Sequence, residues 1–300
     1  AVFGTSGGFA GVWHLSEFPA DNTYGHFDAT ANGNPAKPVN IDDGGAGTTD
    51  TAGVIGGADY LDAANDGLLV GDHDALDPAE NLTRSAWVRI ADSTAHSDGG
   101  VILMGRNDES GGEPWCSYLL QVDSDMKPSL WWGGADGSTC GAGASVALIQ
   151  DTWHHVCGVR DGDSLRIYVD GAEATAWFQA PDGSMLNSSW ELRIGAENAS
   201  TGSRKLNGFV DELRVESAAR SADWVRLCYE SQKPRQALWA MGQPGYQDSD
   251  GDGVPDVVEN EVGEDISPAD VAIPSAWIND STVDQVVVYD FSHLPYCEEF

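Results

Sequence analysis

Clusters of Gly, Asp, Asn and Ser interrupt this chain about every ten residues, and the runs between them are short and rich in Val, Ile, Leu, Trp and Tyr. Such spacing does not suit alternating βα units, whose crossovers need a dozen residues or more. It is the spacing of an all-β sandwich. Strands are expected over 11–16, 85–90, 101–106, 118–122, 129–132, 154–159, 164–169, 191–194 and 208–215. Asp161-Gly162 and Asp170-Gly171 end two of these runs, and Asp-Gly is a strong short-hairpin signal. In Leu165-Arg-Ile-Tyr-Val169 the odd positions are apolar, so one face is expected to be buried and Arg166 to meet water. One helix is expected. Ser221 is its N-cap, Trp224, Leu227, Cys228 and Ser231 follow at helical spacing, and Pro234 cannot continue it.

Charge narrows the partners. Lys+Arg is 15 against 48 Asp+Glu, a net charge of −33. Nucleic-acid binding needs clustered Lys and Arg, and docking on anionic lipid needs a basic surface, so both are excluded as expectations. The same balance suits hard cations with oxygen ligands, calcium above all. No run of about 20 apolar residues is present, so membrane insertion is not expected. Ala1 opens the chain without a start Met, which fits a processed exported protein or a piece of something longer. An extracellular or cell-surface location is expected.

The five cysteines are Cys116, Cys140, Cys157, Cys228 and Cys297, and none forms a CxxC pair, which argues against a thiolate zinc site. Cys116 and Cys140 flank an expected hairpin and are the disulfide candidate. Cys157 lies in a strand-like run and reads as a small buried apolar residue. The spacing leaves open whether Cys228 and Cys297 pair across the two ends of the chain.

Several phrases in order carry a family resemblance. They are Gly11-Val-Trp-His-Leu-Ser-Glu17, Phe27-Asp-Ala-Thr-Ala-Asn-Gly-Asn34, Leu82-Thr-Arg-Ser-Ala-Trp-Val88, Trp153-His-His-Val156, Leu165-Arg-Ile-Tyr-Val-Asp-Gly171 and Gly208-Phe-Val-Asp-Glu-Leu-Arg-Val215. Residues 11–230 thereby resemble the laminin-G-like jelly roll of the concanavalin A-like lectin and glucanase superfamily. The resemblance implies a two-sheet antiparallel sandwich with one short helix, and Trp87 and Trp153 in its core. It also implies a structural calcium near the sandwich edge. Asp211 opens the last strand and Asp28, with Asn32, lies in the matching loop, so these are the expected ligands.

A second motif lies further on. Asp248-Ser-Asp-Gly-Asp-Gly-Val-Pro-Asp-Val-Val-Glu259 fits a twelve-residue calcium loop. Carboxylates Asp248, Asp250, Asp252 and Asp256 take positions 1, 3, 5 and 9, and Gly253 takes the sharp turn at position 6. Val254 would offer its carbonyl and Glu259 would bind bidentately. With Pro255 inside the loop and short flanks, the segment resembles thrombospondin type-3-like repeats, which implies a calcium-rigidified spacer. The expected organisation is a jelly-roll domain over 1–235, a linker over 236–247, the calcium loop over 248–270 and a strand-containing tail over 271–300. A strand is expected at 282–291 in that tail.

The glycoside hydrolases of the same superfamily need two carboxylates about 5 Å apart, usually on one strand as Glu-x-Asp-x-(x)-Glu. No such run occurs; Asp211, Glu212 and Glu216 come closest, in the wrong order. His154 and His155 are adjacent on a strand, face opposite sides and cannot share a metal. The expected function is therefore a non-catalytic module for carbohydrate binding or cell-surface adhesion. Trp115, Tyr118, Trp131 and Trp132 are the candidate sugar platform. The first alternative is a structural subunit that self-associates into an extracellular assembly, joined by strand addition through the tail. The second alternative is an accessory part of a glycan-degrading enzyme.

Overall fold

Two antiparallel sheets of eight strands each face one another in the computed structural model. It describes residues 3–17, 25–41, 48–62, 66–77, 80–92, 100–107, 114–180, 183–197 and 204–233. The linker at 236–247, the calcium loop at 248–270 and the tail at 271–300 lie outside the described residues, as does Cys297.

In chain order the first strands are β1 (Phe9–Trp13), β2 (Lys37–Val39), β3 (Thr48–Ala52), β4 (Gly57–Asp62), β5 (Gly67–Val70) and β6 (Leu82–Ile90). The central run is β7 (Val101–Asn107), β8 (Cys116–Val122), β9 (Pro128–Gly133), β10 (Thr139–Ala144) and β11 (His154–Asp161). The last are β12 (Ser164–Val169), β13 (Ala172–Glu173), β14 (Thr175–Phe178), β15 (Leu192–Ile194) and β16 (Asn207–Glu216). The first sheet runs β13-β12-β11-β6-β16-β4-β3, and β1 adds to the far half of β16. The second runs β14-β10-β9-β8-β7-β15-β5-β2.

Period-two alternation builds the core. Leu82, Ala86, Val88 and Ile90 of β6 pack between the sheets with Leu165, Ile167, Leu120, Leu130 and Trp132. Ile167 is fully buried while the Arg166 side chain is 38% exposed, so the expected split of faces on β12 is observed. Asp170 and Gly171 both take left-handed backbone, at φ 50° and 76°, between the paired residues Val169 and Ala172. That is the type I′ geometry the Asp-Gly dipeptide favours. Gly171 is needed twice over, since a Cβ there would meet the Tyr229 ring at 2.9 Å.

The helix, α1 (Ala222–Gln232), starts where expected: Trp224 donates its N–H to Ser221 Oγ at 3.2 Å. Its docked face takes in further residues. Val225 and Gln232 are buried, and Tyr229 stacks on Trp87 at 5.6 Å, so residues 225, 229 and 232 belong to it. Trp224, Leu227, Cys228 and Ser231, the residues at helical spacing, are half-buried as Tyr229 is, and Cys228 accepts from Arg214 of β16 at 3.8 Å. Val225 joins Cys157, Val159 and Tyr168 in a second apolar cluster on the outside of the first sheet. Trp87 is buried beneath this helix rather than between the sheets, and Trp153 is only partly covered.

The Cys116–Cys140 disulfide is also corrected. No disulfide joins the two. Register pairs Tyr118 with Trp132 and Trp132 with Cys140, so β9 separates the two cysteines. Two strand spacings are about 9–10 Å, beyond the ~7 Å between Cα atoms that a disulfide spans.

Candidate functional site

The four aromatic residues singled out from the sequence divide between two faces of one sheet. Tyr118 and Trp132 point between the sheets and are 0% and 1% exposed, so they are core. Trp115 and Trp131 are half-buried on the outer face, over Ile102 and Leu119. Trp177 of β14 completes a group that the sequence reading did not contain. Ring centroids lie 5.6 Å apart for Trp115–Trp131 and 5.9 Å apart for Trp131–Trp177, at 57° and 63°. Trp177 is 46% exposed.

Strand β10 makes this possible. Its Cys140, Ala142 and Ala144 turn inward into the core, which leaves Gly141 and Gly143 on the outer face. Register sets Gly141 against Trp131 and Gly143 against Trp177. A Cβ on Gly141 would come within 2.8 Å of the Trp131 ring, and one on Gly143 within 2.2 Å of Trp177 Nε1. Both indoles thus lie against bare backbone. A glycine in a strand interior signals such close approach, and Gly141 and Gly143 were the available sequence signal for Trp177. Polar groups line the same face. Trp131 donates Nε1–H to Ser129 Oγ at 3.2 Å, and Ser129 donates to Asp123 Oδ1 at 2.9 Å. Gln121 donates to the same oxygen at 2.6 Å.

The expected metal ligands divide too. Asp248, Asp250, Asp252, Val254, Asp256 and Glu259 lie outside the described residues. Asp28 accepts four hydrogen bonds, from Val12 N–H and Thr30 N–H at Oδ1 and from Thr30 Oγ1 and Asn34 N–H at Oδ2. That is the full acceptor capacity of a carboxylate, so Asp28 clasps its loop onto β1. Asn32 donates its amide to Ala10 O at 2.8 Å, part of the same clasp. Asp211 differs. Its Oδ2 accepts from Val54 and Ile55 N–H at 2.7 and 3.0 Å, while Oδ1 is buried without a partner. Burial, and then the neighbouring Glu212 charge, push its carboxyl up to about 8. Of the two carboxylates, Asp211 alone has an oxygen free for a cation. Among the described residues, no three His, Cys, Asp or Glu side chains gather as a metal cluster.

The other carboxylates near Asp211 are held in ion pairs. Glu212 faces His14 Nδ1 at 2.5 Å and Arg214 at 2.8 Å, and these partners hold its carboxyl below the usual range despite its burial. Glu216 pairs with Arg220. His154 bonds Asp170 through Nδ1 at 2.7 Å and accepts Ile149 N–H at Nε2.

The family of concanavalin A-like lectins and glucanases, in its Laminin_G_3 form, matches residues 56–226. No curated protein matches the chain. Among solved structures, the botulinum neurotoxin serotype C1 binding domain superposes with a TM-score of 0.56 at 9% identity, over 76% of this chain and 53% of that one. The binding domain of Paraclostridial Mosquitocidal Protein 1 gives 0.55 at 12%, over 75% and 52%. This chain therefore spans about half of those toxin domains. Domain 4 of AbnA, an extracellular GH43 arabinanase from Geobacillus stearothermophilus solved with arabinotriose, gives 0.53 at 18% identity, over 73% of this chain and 96% of that one. Over 56–226 the model match takes in β6 to β12, the Trp131–Trp177 face and Asp211, and on it this chain belongs to the concanavalin A-like lectin/glucanases superfamily.

Proposed function

We propose that this chain is a non-catalytic, extracellular module that binds carbohydrate on the outer face of its second sheet. The observation that carries the reading is the Trp131–Trp177 pair laid against Gly141 and Gly143. Indole faces stack on the apolar faces of sugar rings, and neighbouring polar groups fix the hydroxyls. Half-buried Asp123, which accepts from the buried Ser129 and Gln121, is the polar group at hand. The AbnA domain, solved with arabinotriose, supports a sugar ligand for this fold. The toxin binding domains support a cell-surface setting.

Calcium belongs to the same reading. Asp248, Asp250, Asp252, Asp256 and Glu259, with the Val254 carbonyl, would hold one ion. Asp211 Oδ1 would give a second ion one carboxylate oxygen. In both places the cation would neutralise carboxylates that otherwise repel one another and would rigidify the chain around them.

The test is glycan-array binding in calcium, followed by titration of each positive glycan into wild type, Trp131→Ala and Trp177→Ala. Binding to at least one glycan, weakened tenfold or more in both variants, is expected. An array without positives, or variants that bind as wild type, would overturn the site.

A further inference from the structure

Inside the sandwich, one row of the second sheet carries Arg106, Tyr118, Trp132 and Cys140 side by side, because register pairs each with the next. Two more arginines reach this row from the first sheet. The Arg84 guanidinium lies 4.5 Å from the centroid of the Tyr118 ring, and that of Arg160 lies 3.9 Å from Trp132. All three arginines are buried, at 1%, 0% and 3% exposure for Arg84, Arg106 and Arg160. A chain with a net charge of −33 thus places three cations inside its own core.

Buried guanidinium groups need acceptors and counter-charge. Arg106 is served, by Asp77 Oδ1 at 2.9 Å, Asp72 Oδ1 at 2.5 Å and Ser188 O. Arg160 donates only to the carbonyls of Gly162 and Gly183. The donors Arg84 Nε and Nη1, Arg106 Nε, Arg160 Nη1 and Trp132 Nε1 are buried with no acceptor. Asp72 and Asp77 offset Arg106, and the Glu80 and Asp163 charges act on Arg160, whereas no carboxylate acts on Arg84. Nothing else in the row supplies the missing anion. Burial keeps Tyr118 neutral, pushing its hydroxyl up to about 12, and raises the Cys140 thiol to about 11. Burial also lowers Arg84, to about 10, which leaves it charged at neutral pH.

These five orphans are donors, the Tyr118 hydroxyl in the same row is also without a partner, and the Arg84 charge is unmatched. The missing piece is therefore an acceptor that carries negative charge. We propose that this end of the core is a binding site for one small oxyanion, a carboxylate or sulfate group, held chiefly by Arg84 and completed by Arg160 and Trp132. The site is separate from the Trp131–Trp177 face, so it stands or falls independently of the glycan reading. The oxyanion would arrive as a free inorganic ion or as the acid group of a saccharide.

Calorimetric titration of sulfate and of glucuronate, at ionic strength fixed with chloride, tests it. Saturable one-to-one binding of at least one probe is expected. Arg84→Met should weaken it tenfold or more, while Arg166→Met, an exposed arginine on β12, should bind as wild type. Tighter sulfate binding identifies an inorganic ion, and tighter glucuronate binding an acidic saccharide. Arg160→Met gives a second reading should Arg84→Met fail to fold, and is expected to lose binding too. Absence of saturable binding to both probes, or equal affinity in a folded Arg84→Met or Arg160→Met, would overturn the proposal.

Discussion

Trp131 and Trp177 meet at 5.9 Å across a strand that presents no side chain beneath them. Gly143 is therefore as much part of the platform as the rings are. Its backbone is not left-handed, so Gly143→Ala costs the main chain little. The added Cβ, 2.2 Å from Trp177 Nε1, instead displaces the indole. Gly143→Ala should weaken glycan binding as Trp177→Ala does, with a stability change within about 1 kcal/mol. Binding unchanged from wild type would show that Trp177 does not contact the sugar.

His155 sets part of the acid response. Burial, reinforced by the Arg214 charge, lowers its folded value to about 3 from an ordinary 6.5. Below pH 6.5 the unfolded chain takes up a proton that the folded protein refuses. The contribution of His155 to stability is thus complete above pH 6.5 and lost as pH falls toward 3. His155→Phe keeps an aromatic ring against Trp87 and Tyr229 and removes the titration. Melting temperature followed from pH 7 to pH 4 should fall less steeply in the variant. Parallel curves would assign the acid response elsewhere.

The parts of this fold that were legible in the sequence depend on local chemistry. Asp170-Gly171 specified a turn because few other pairs tolerate two positive φ angles in succession. Ser221 specified a helix start because its hydroxyl can reach Trp224 N–H. The parts that were not legible depend on which strands become neighbours. Trp131 and Trp132 must face opposite ways, yet only the pairing of β9 with β10 and of β10 with β14 brings Trp177 to Trp131. Arg84 alternates with Leu82 and Ala86, so its inward position was readable, but its charge argued the other way. That Tyr229 of α1 stacks on Trp87 and that Gln232 bonds it was not legible either, since both contacts depend on where the helix docks.

The calcium loop makes its own prediction. Asp250 takes the third ligand position, and its loss removes a carboxylate that the other four do not replace. Asp250→Ala should bind one calcium fewer by metal analysis, with the melting of residues 1–235 unchanged. A calcium count equal to that of wild type would sink the loop assignment.

Gln232 ties the helix to the sheet. Its Oε1 accepts Trp87 Nε1–H at 2.8 Å, and its Nε2 donates to Glu212 at 3.4 Å. Gln232→Leu has nearly the right volume but leaves the buried indole N–H unpaired. An unsatisfied buried donor costs about 1–3 kcal/mol. Chemical denaturation should register that loss, and Gln232→Glu, which keeps the acceptor but adds a charge beside Glu212, should lose more. A Gln232→Leu variant as stable as wild type would mean that Tyr229 stacking and Val225 burial hold α1 without the hydrogen bond.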